Sequence, residues 1–213
     1  MTSHRISSRG FSLIELSIVL VIVGLVIAGM LVPLSAQIDQ KNYNETQRAM
    51  AELRDGLIGY ASSNGYLPCP DTTGDGREDR DGTGACVVDP AEGNLPWADL
   101  GMGKQDAWGQ KYRYRVTNGF ANSVTKFTLS TTPSMTITDT SGVTLALRVP
   151  AVIVSKGKSG AGAGVNEQEN TDNDDNLVSD VPSAVAGNEF DDIVVWVPST
   201  LLLNRMLSAG KLP

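Results

Sequence analysis

A single glutamate lies at the start of the longest apolar run in this sequence. Glu15 follows Gly10 and Phe11 closely, and residues 16–34 include no charged side chain. A carboxylate in hydrocarbon costs about 2.5–3.5 kcal/mol on membrane-insertion scales, so such a residue normally marks a functional position. A buried carboxylate is tolerated when a cation pairs with it and hydrogen bonds satisfy it. Glu15 is therefore expected to meet a positive charge.

A second set of carboxylates follows residue 70, in a segment rich in glycine. Asp71, Asp75 and Asp79 are spaced as oxygen donors, and Gly76 stands where a calcium-binding loop makes its sharp turn. Gly82 occupies the position where an EF-hand loop has its bidentate glutamate. A calcium site and a solvated acidic loop both remain open for this segment.

The chain offers no set of side chains for nucleophilic or acid–base catalysis. Its only histidine is His4, so neither a Ser/His/Asp nor a Cys/His arrangement can form in the rest of the sequence. Acids are plentiful, but the sequence does not place any two as an acid–base pair. We therefore expect a protein that is not an enzyme.

The two cysteines are expected to form a disulfide. Cys69 and Cys86 enclose the Gly- and Asp-rich segment, and an isolated pair in an exported chain is usually oxidised. A loop of this size would stabilise the fold by about 3 kcal/mol in the chain-entropy model. Two free thiols or a metal site are the alternatives, although two cysteines and the distant His4 do not make a zinc ligand set.

The apolar run that follows Glu15 is predicted to be a helix that spans a membrane. Residues 16–34 are long enough to cross a hydrocarbon core of about 30 Å. Residues 1–10 contain Arg5 and Arg9 and no acid, which predicts a cytoplasmic N-terminus and an external remainder. A cleaved signal peptide is the alternative, with a weak cleavage site after Ala36, but the apolar region is longer than such peptides have.

The residues around Glu15 resemble a processing motif. The segment Gly10-Phe11-Ser12-Leu13-Ile14-Glu15-Leu16 resembles the cleavage and methylation motif of type IV prepilins and type II secretion pseudopilins. The resemblance implies that a prepilin peptidase cuts between Gly10 and Phe11 and methylates the new Phe11 amine. The resulting ammonium, in the same subunit or a neighbouring one, is the cation that would pair with Glu15.

The helix is predicted to continue beyond the apolar run. Residues 37–64 contain no proline, and their apolar positions recur at helical spacing, which predicts an amphipathic half that packs on a domain. Pro33 is expected to kink the helix, and Gly65 to end it. The predicted apolar stripe comprises Met50, Leu53, Leu57 and Tyr60.

The remaining residues, 65–213, are predicted to form one globular domain. The run Asp106-Ala107-Trp108-Gly109-Gln110-Lys111-Tyr112-Arg113-Tyr114 resembles the pseudopilin signature that leads into the first strand of the sheet. Alternation predicts buried tyrosines and a basic row, Lys111, Arg113 and Arg115. The row is expected to be the solvated face of a strand, and binding of DNA or an acidic partner is the alternative. Residues 155–189 look the least ordered. Strands are predicted at 111–117, 124–129, 143–154 with a break at Pro150, and 190–197, and a short helix at 199–209.

The C-terminal part carries a second resemblance. Ser155 and the run Asp191-Asp192-Ile193 resemble a Ser-x-Gly loop and an Asp-Asp-Ile strand start that hold calcium in some major pseudopilins. The resemblance implies Ser155, Asp191 and Asp192 as ligands, although the segment between them is long. Calcium is thus the one cofactor that the sequence suggests, at either acidic site.

The sequence therefore predicts an α+β protein. A long kinked N-terminal helix, with a membrane-spanning half and an amphipathic half, would pack on a small antiparallel sheet domain with a disulfide-tied loop. The expected divisions are residues 1–10 as a removed leader, 11–36 as the transmembrane and assembly helix, 37–64 as the amphipathic half, and 65–213 as the periplasmic or extracellular domain.

The expected function is structural. A minor pilin or pseudopilin would cross the bacterial inner membrane once, with its domain in the periplasm, and then enter a filament in the periplasm or at the cell surface. Its expected partners are other subunits, the prepilin peptidase and an inner-membrane assembly platform. With 17 basic against 24 acidic residues, nucleic-acid binding is not expected. The alternative is a single-pass membrane protein outside any filament, whose domain binds a ligand or surface.

Overall fold

The fold comes from a computed structural model. It describes residues 12–88, 91–160, 162 and 164–212, and the backbone alone for residues 28–34. The chain divides into two units, residues 1–41 and residues 42–213. Gly10 and Phe11 lie outside the described residues, whereas Glu15 lies within them.

Helix α1 runs from Leu13 to Asn64. It ends where the sequence predicts, because Gly65 adopts a φ of 89°, which favours glycine, and its N–H donates to the Ala61 carbonyl at 2.7 Å. Within the first unit, the large apolar side chains from Leu13 to Ile27 are 46–89% exposed. The structure describes only the backbone at Pro33. The kink predicted there stays a prediction.

No helix among the described residues is both long enough and apolar enough to span a membrane.

The second unit contains the amphipathic stripe of α1. Met50, Leu53 and Leu57 are buried in the main hydrophobic core, together with Ala61. Their spacing places them on one face of the helix, as predicted. Tyr60 is half-buried at the edge of this face, and its hydroxyl donates to Glu78 Oε1 at 3.1 Å.

The main sheet has four antiparallel strands in the order β1-β2-β5-β9. Alternate residues of β2 and β5 face opposite sides, so Tyr114 and Ile153, which pair across the strands, point into the main core. Val152 and Val154 point to the other side. The strands are β1 (Ala91–Asn94), β2 (Arg113–Val116), β5 (Ala151–Ser155) and β9 (Ile193–Val197).

A second sheet of three strands covers the other side of β5 and β9. Its strands are β3 (Met135–Thr138), β4 (Thr144–Val149) and β6 (Asn176–Val178), in the order β4-β3-β6, with β3 and β6 parallel. Met135, Ile137 and Leu177 are buried with Val152 and Val154 in a second core. The break predicted at Pro150 is confirmed, since it separates β4 from β5.

Two predictions about secondary structure are wrong. Residues 124–129 do not form a strand, because the Asn122 side chain accepts the N–H groups of Val124 and Thr125 at 2.9 and 2.8 Å and holds a turn. The segment expected to be least ordered contains regular elements. Besides β6, these are α4 (Val165–Glu169), β7 (Ser183–Val185) and β8 (Asn188–Phe190), and helix α5 (Ser199–Ser208) follows β9. Two short helices, α2 (Trp97–Leu100) and α3 (Asn118–Ala121), lie on either side of β2 in the sequence.

Three loops of the domain share one hydrogen-bond pattern. Asp81, Asp106 and Asp139 each begin an Asp-x-x-Gly-x segment, and each carboxylate accepts the N–H groups two and four residues later at 2.8–3.0 Å. The glycine of each loop has a φ of 82–83°, which favours glycine, and its N–H donates to the aspartate carbonyl. The repeated pattern explains why an aspartate and a glycine recur at this spacing.

Candidate functional site

Glu15 lies in the first turn of α1 and takes part in a reciprocal cap. Its N–H donates to Ser12 Oγ at 3.2 Å, and the Ser12 N–H donates to Glu15 Oε2 at 3.5 Å. This is a capping box, which satisfies free N–H groups at a helix start. The carboxylate is therefore held at the N-terminal end of the helix, where the helix dipole also favours a negative charge. The Ser-x-x-Glu spacing of Ser12 and Glu15 is the sequence signal for this cap.

The predicted disulfide is confirmed. Cys69 and Cys86 are bonded, with their Cα atoms 5.3 Å apart. Within the loop that they close, Arg80 forms an ion pair with Glu78 at 2.6 Å and lies 4.5 Å from the centre of the Tyr66 ring. Glu78 also accepts the Cys69 N–H at 3.0 Å. The covalent link and the ion pair thus hold the same segment together.

The first calcium candidate does not have its three carboxylates together. Buried Asp71 accepts the N–H groups of Gly74 and Gly76 at 2.5 and 2.9 Å, and Asp75 accepts the Arg77 N–H. Asp79 accepts bonds from Thr72 and Thr73, which lower its pKa although desolvation acts to raise it. The groups of converging acids found among the described residues lie elsewhere.

The second calcium candidate is brought together only in part. Asp191 and Asp192 converge, and Glu167 joins them, so that one oxygen of each lies within 4.8 Å of the others. Ser155 is fully buried, and its hydroxyl donates to Asp106 Oδ2 at 2.6 Å. Glu167 was missed because its segment looked the least ordered.

Burial of this acidic group raises the pKa of one of its carboxyls. Desolvation raises the pKa of Asp192 to about 7, and the charges of Glu167 and Asp191 act in the same direction. The hydrogen bond from the Asn170 amide, at 2.8 Å, opposes this shift. A buried group of like charges favours either a proton or a bound cation.

The predicted basic row is solvated at Lys111 but not at Arg115. Arg115 is only 6% exposed and contacts Glu92 and Asp175, each at 2.9 Å. Arg113 pairs with the same glutamate. The interpretation as a solvated face is therefore wrong for Arg115, because an acid on β1 and an acid before β6 pair with its guanidinium.

Asp106 is expected to be a strong contributor to stability. An Asp106→Ala substitution leaves the buried Ser155 hydroxyl and the N–H groups of Trp108 and Gln110 without their acceptor, and each unsatisfied buried group costs about 1–3 kcal/mol. We expect a total loss of at least about 2 kcal/mol in the free energy of unfolding. Urea unfolding of the full chain in detergent, followed by tryptophan fluorescence, measures it.

The matched control is Asp139→Ala. Asp139 makes the same two loop bonds, to Ser141 and Val143, but water can replace them because these bonds are exposed. We expect a loss below about 1 kcal/mol. Equal losses for the two variants would show that burial of Asp106 and its bond to Ser155 add nothing.

The N-terminal segment of the chain matches a known protein family model. Residues 5–31 match the family model described as the prokaryotic N-terminal methylation motif. This motif is the signature of type IV pilin and pseudopilin precursors, and it supports a type IV pilin-like protein that a prepilin peptidase processes. No curated protein and no solved structure matches the chain.

Proposed function

We propose that this chain is a minor pilin or pseudopilin, a structural subunit of a type IV pilus or a type II secretion pseudopilus. Prepilin peptidase would remove residues 1–10, and the mature subunit would assemble through its N-terminal helix. The observation that carries this proposal is the methylation motif, matched over residues 5–31 and continuous with the start of α1.

The first unit supports this assignment through its exposed apolar surface. Side chains between Leu13 and Ile27 are exposed on every side of α1. A helix that is apolar all round requires an apolar environment on all sides. The inner membrane supplies this environment before assembly, and neighbouring helices supply it in a filament, so residues 11–36 serve as the transmembrane and assembly helix.

Glu15 gives the assembly step its selectivity. Cleavage before Phe11 creates an ammonium, which N-methylation leaves charged. The capping box holds the Glu15 carboxylate at this end of the helix, where it can accept the ammonium of its own or a neighbouring subunit. A subunit docked in the wrong register would bury a charge without its partner, which is strongly unfavourable.

The second unit fits an exported domain. Its disulfide is stable in an oxidising compartment such as the periplasm. In the proposed function the domain is carried on the filament surface, and its partners are other subunits and the inner-membrane assembly platform.

The N-terminus of the mature protein is expected to be an N-methylated Phe11. Intact-mass and peptide mass spectrometry of the protein purified from a host with prepilin peptidase measures this directly. As a control, a Gly10→Val variant should keep Met1, because its cleavage position is blocked. An intact Met1 start of the wild-type chain, or a start after Ala36, would contradict the proposal and favour a single-pass protein outside any filament.

A further inference from the structure

Strand β4 forms an open edge of the second sheet. It pairs with β3 on one side, and no strand pairs with its other side among the residues that the structure describes. Proteins usually protect such an edge with charged side chains, proline or a very short strand. β4 has six residues, contains no proline, and has Arg148 as its only charged residue. The edge therefore offers its main chain to another strand.

The side chains of β4 that face water are apolar. Leu145 and Leu147 are 47% and 68% exposed, whereas Ala146 between them packs against the second core. The pairing with β3 shifts its register twice, so that Leu145 and Arg148 have no partner residue on β3. Such bulges often turn an edge away from a partner, but here they leave two leucines in water. Neighbouring exposed apolar side chains beside an unpaired edge mark an interaction surface.

The sequence of β4 is nearly the same when it is read in either direction. Leu145 and Leu147 flank Ala146, and a valine lies three residues from Ala146 on each side, at Val143 and Val149. If two copies of β4 paired antiparallel about Ala146, Leu145 of each copy would lie opposite Leu147 of the other. Apolar cross-strand pairs of this kind stabilise antiparallel strands. A two-fold contact between identical chains needs such a self-complementary surface.

Charges at the two ends of β4 favour the antiparallel arrangement. Arg148 is exposed near the C-terminal end, and its guanidinium makes no ion pair within the part of the chain that the structure describes. At the other end, Asp139 Oδ1 accepts the Val143 N–H at 2.9 Å, which holds a carboxylate beside the start of the strand. In the antiparallel pair, Arg148 lies opposite Thr144 of the other copy and next to that carboxylate. A parallel pair in register would instead place two arginines opposite each other, which is unfavourable.

We infer that β4 is a docking surface for a second copy of this chain, and that the two β4 strands pair antiparallel about Ala146. The two three-stranded sheets then join in the order β6-β3-β4-β4-β3-β6. This contact lies entirely in the second unit and goes beyond the assembly helix of the proposed function. It ties the domains of two subunits to each other directly, whether or not the N-terminal segment is processed.

Disulfide cross-linking between added cysteines tests the inference. The two native cysteines are bonded to each other, so an added cysteine is the only free thiol of the chain. Full-length Leu145→Cys and Leu147→Cys chains are co-expressed, and the membranes are oxidised mildly. Non-reducing gels should show at least about tenfold more linked dimer than for either variant alone, because identical positions lie diagonally, about 7–8 Å apart, beyond the reach of a disulfide.

Two further variants provide the controls. Leu129 is an exposed leucine outside β4, so Leu129→Cys co-expressed with Leu147→Cys should give no more dimer than the single variants. Adding Arg148→Glu to the Leu145→Cys and Leu147→Cys pair should lower the dimer yield about fivefold, because it places like charges beside each other. The unfolding temperatures of all variants should stay close to that of the wild type, since the substituted side chains are exposed.

Three outcomes overturn the inference. More dimer in a single variant than in the co-expressed pair would show a different register. Equal yields for the pair and for the Leu129→Cys control would show that the chains meet through their helices alone. Absence of any dimer would show that a second copy does not dock on β4, and protection of Leu147→Cys from a maleimide reagent would then assign the strand to a different protein.

Discussion

Replacing Glu15 with alanine should remove the subunit from filaments while cleavage after Gly10 continues. In the proposed filament, the substitution would leave the Phe11 ammonium without its partner in an apolar helix bundle, and breaking a buried ion pair costs about 3–5 kcal/mol. That free energy corresponds to at least about a hundredfold loss of incorporation. Immunoblots of sheared filaments against the membrane fraction measure the ratio.

A second variant separates the charge of Glu15 from its role as a helix cap. Glutamine also forms a capping box, so Glu15→Gln keeps the bonds with Ser12 and removes only the charge. If the ion pair controls assembly, Glu15→Gln should fail as Glu15→Ala does. Normal incorporation of the glutamine variant would show that the cap matters and the charge does not.

The matched control for both variants is Ser17→Ala. Ser17 is exposed on the same helix, and its hydroxyl donates to the Ile14 carbonyl at 2.8 Å. The Ser17→Ala variant loses a polar side chain from the same helical segment, and the Glu15 carboxylate is unchanged. Filament incorporation should therefore remain close to that of the wild type.

Removing the disulfide should lower the stability of the domain strongly. A Cys69→Ser, Cys86→Ser double variant releases the loop in the unfolded state, which lowers the free energy of unfolding by about 3 kcal/mol in the chain-entropy model. For a chain of this size, about 2–4 °C of unfolding temperature accompany each kcal/mol. Circular dichroism melting of the two proteins should therefore differ by about 6–12 °C.

Reductant provides the internal control for this measurement. Dithiothreitol should lower the unfolding temperature of the wild type to that of the double variant, and it should leave the double variant unchanged. Equal unfolding temperatures of oxidised wild type and double variant would mean that the ion pair between Arg80 and Glu78 holds the loop without the covalent link.

Residue spacing and single residue types predicted the parts of the fold that depend on neighbours in the sequence. The apolar stripe of α1 and the end of the helix before Gly65 follow from helical spacing and from glycine chemistry. The break at Pro150 follows from the missing N–H of proline. The bond between Cys69 and Cys86 followed from there being only two cysteines.

The burial of Arg115, the strand β6 and the position of Glu167 depend on residues that are distant in the sequence, so residue spacing did not predict them. Arg115 is buried because Glu92 and Asp175 reach it from other elements. Leu177 belongs to a polar, acidic stretch, and β6 forms because β3 offers it an edge and a shared core. Glu167 meets Asp191 and Asp192 for the same reason, because the fold brings together segments that are distant in the sequence.

The pairing of β3 with β6 has a consequence for the order in which the domain folds. These strands are parallel neighbours, yet β4 and β5 lie between them in the sequence, and β5 completes its own pairing only with β9. Contacts of such long sequence separation form slowly, because the loops between them must close first. Each sheet must therefore wait for a strand that comes later in the chain, β6 in one sheet and β9 in the other. An export pathway that delivers the domain from its N-terminal end would leave it open to proteases until β9 arrives.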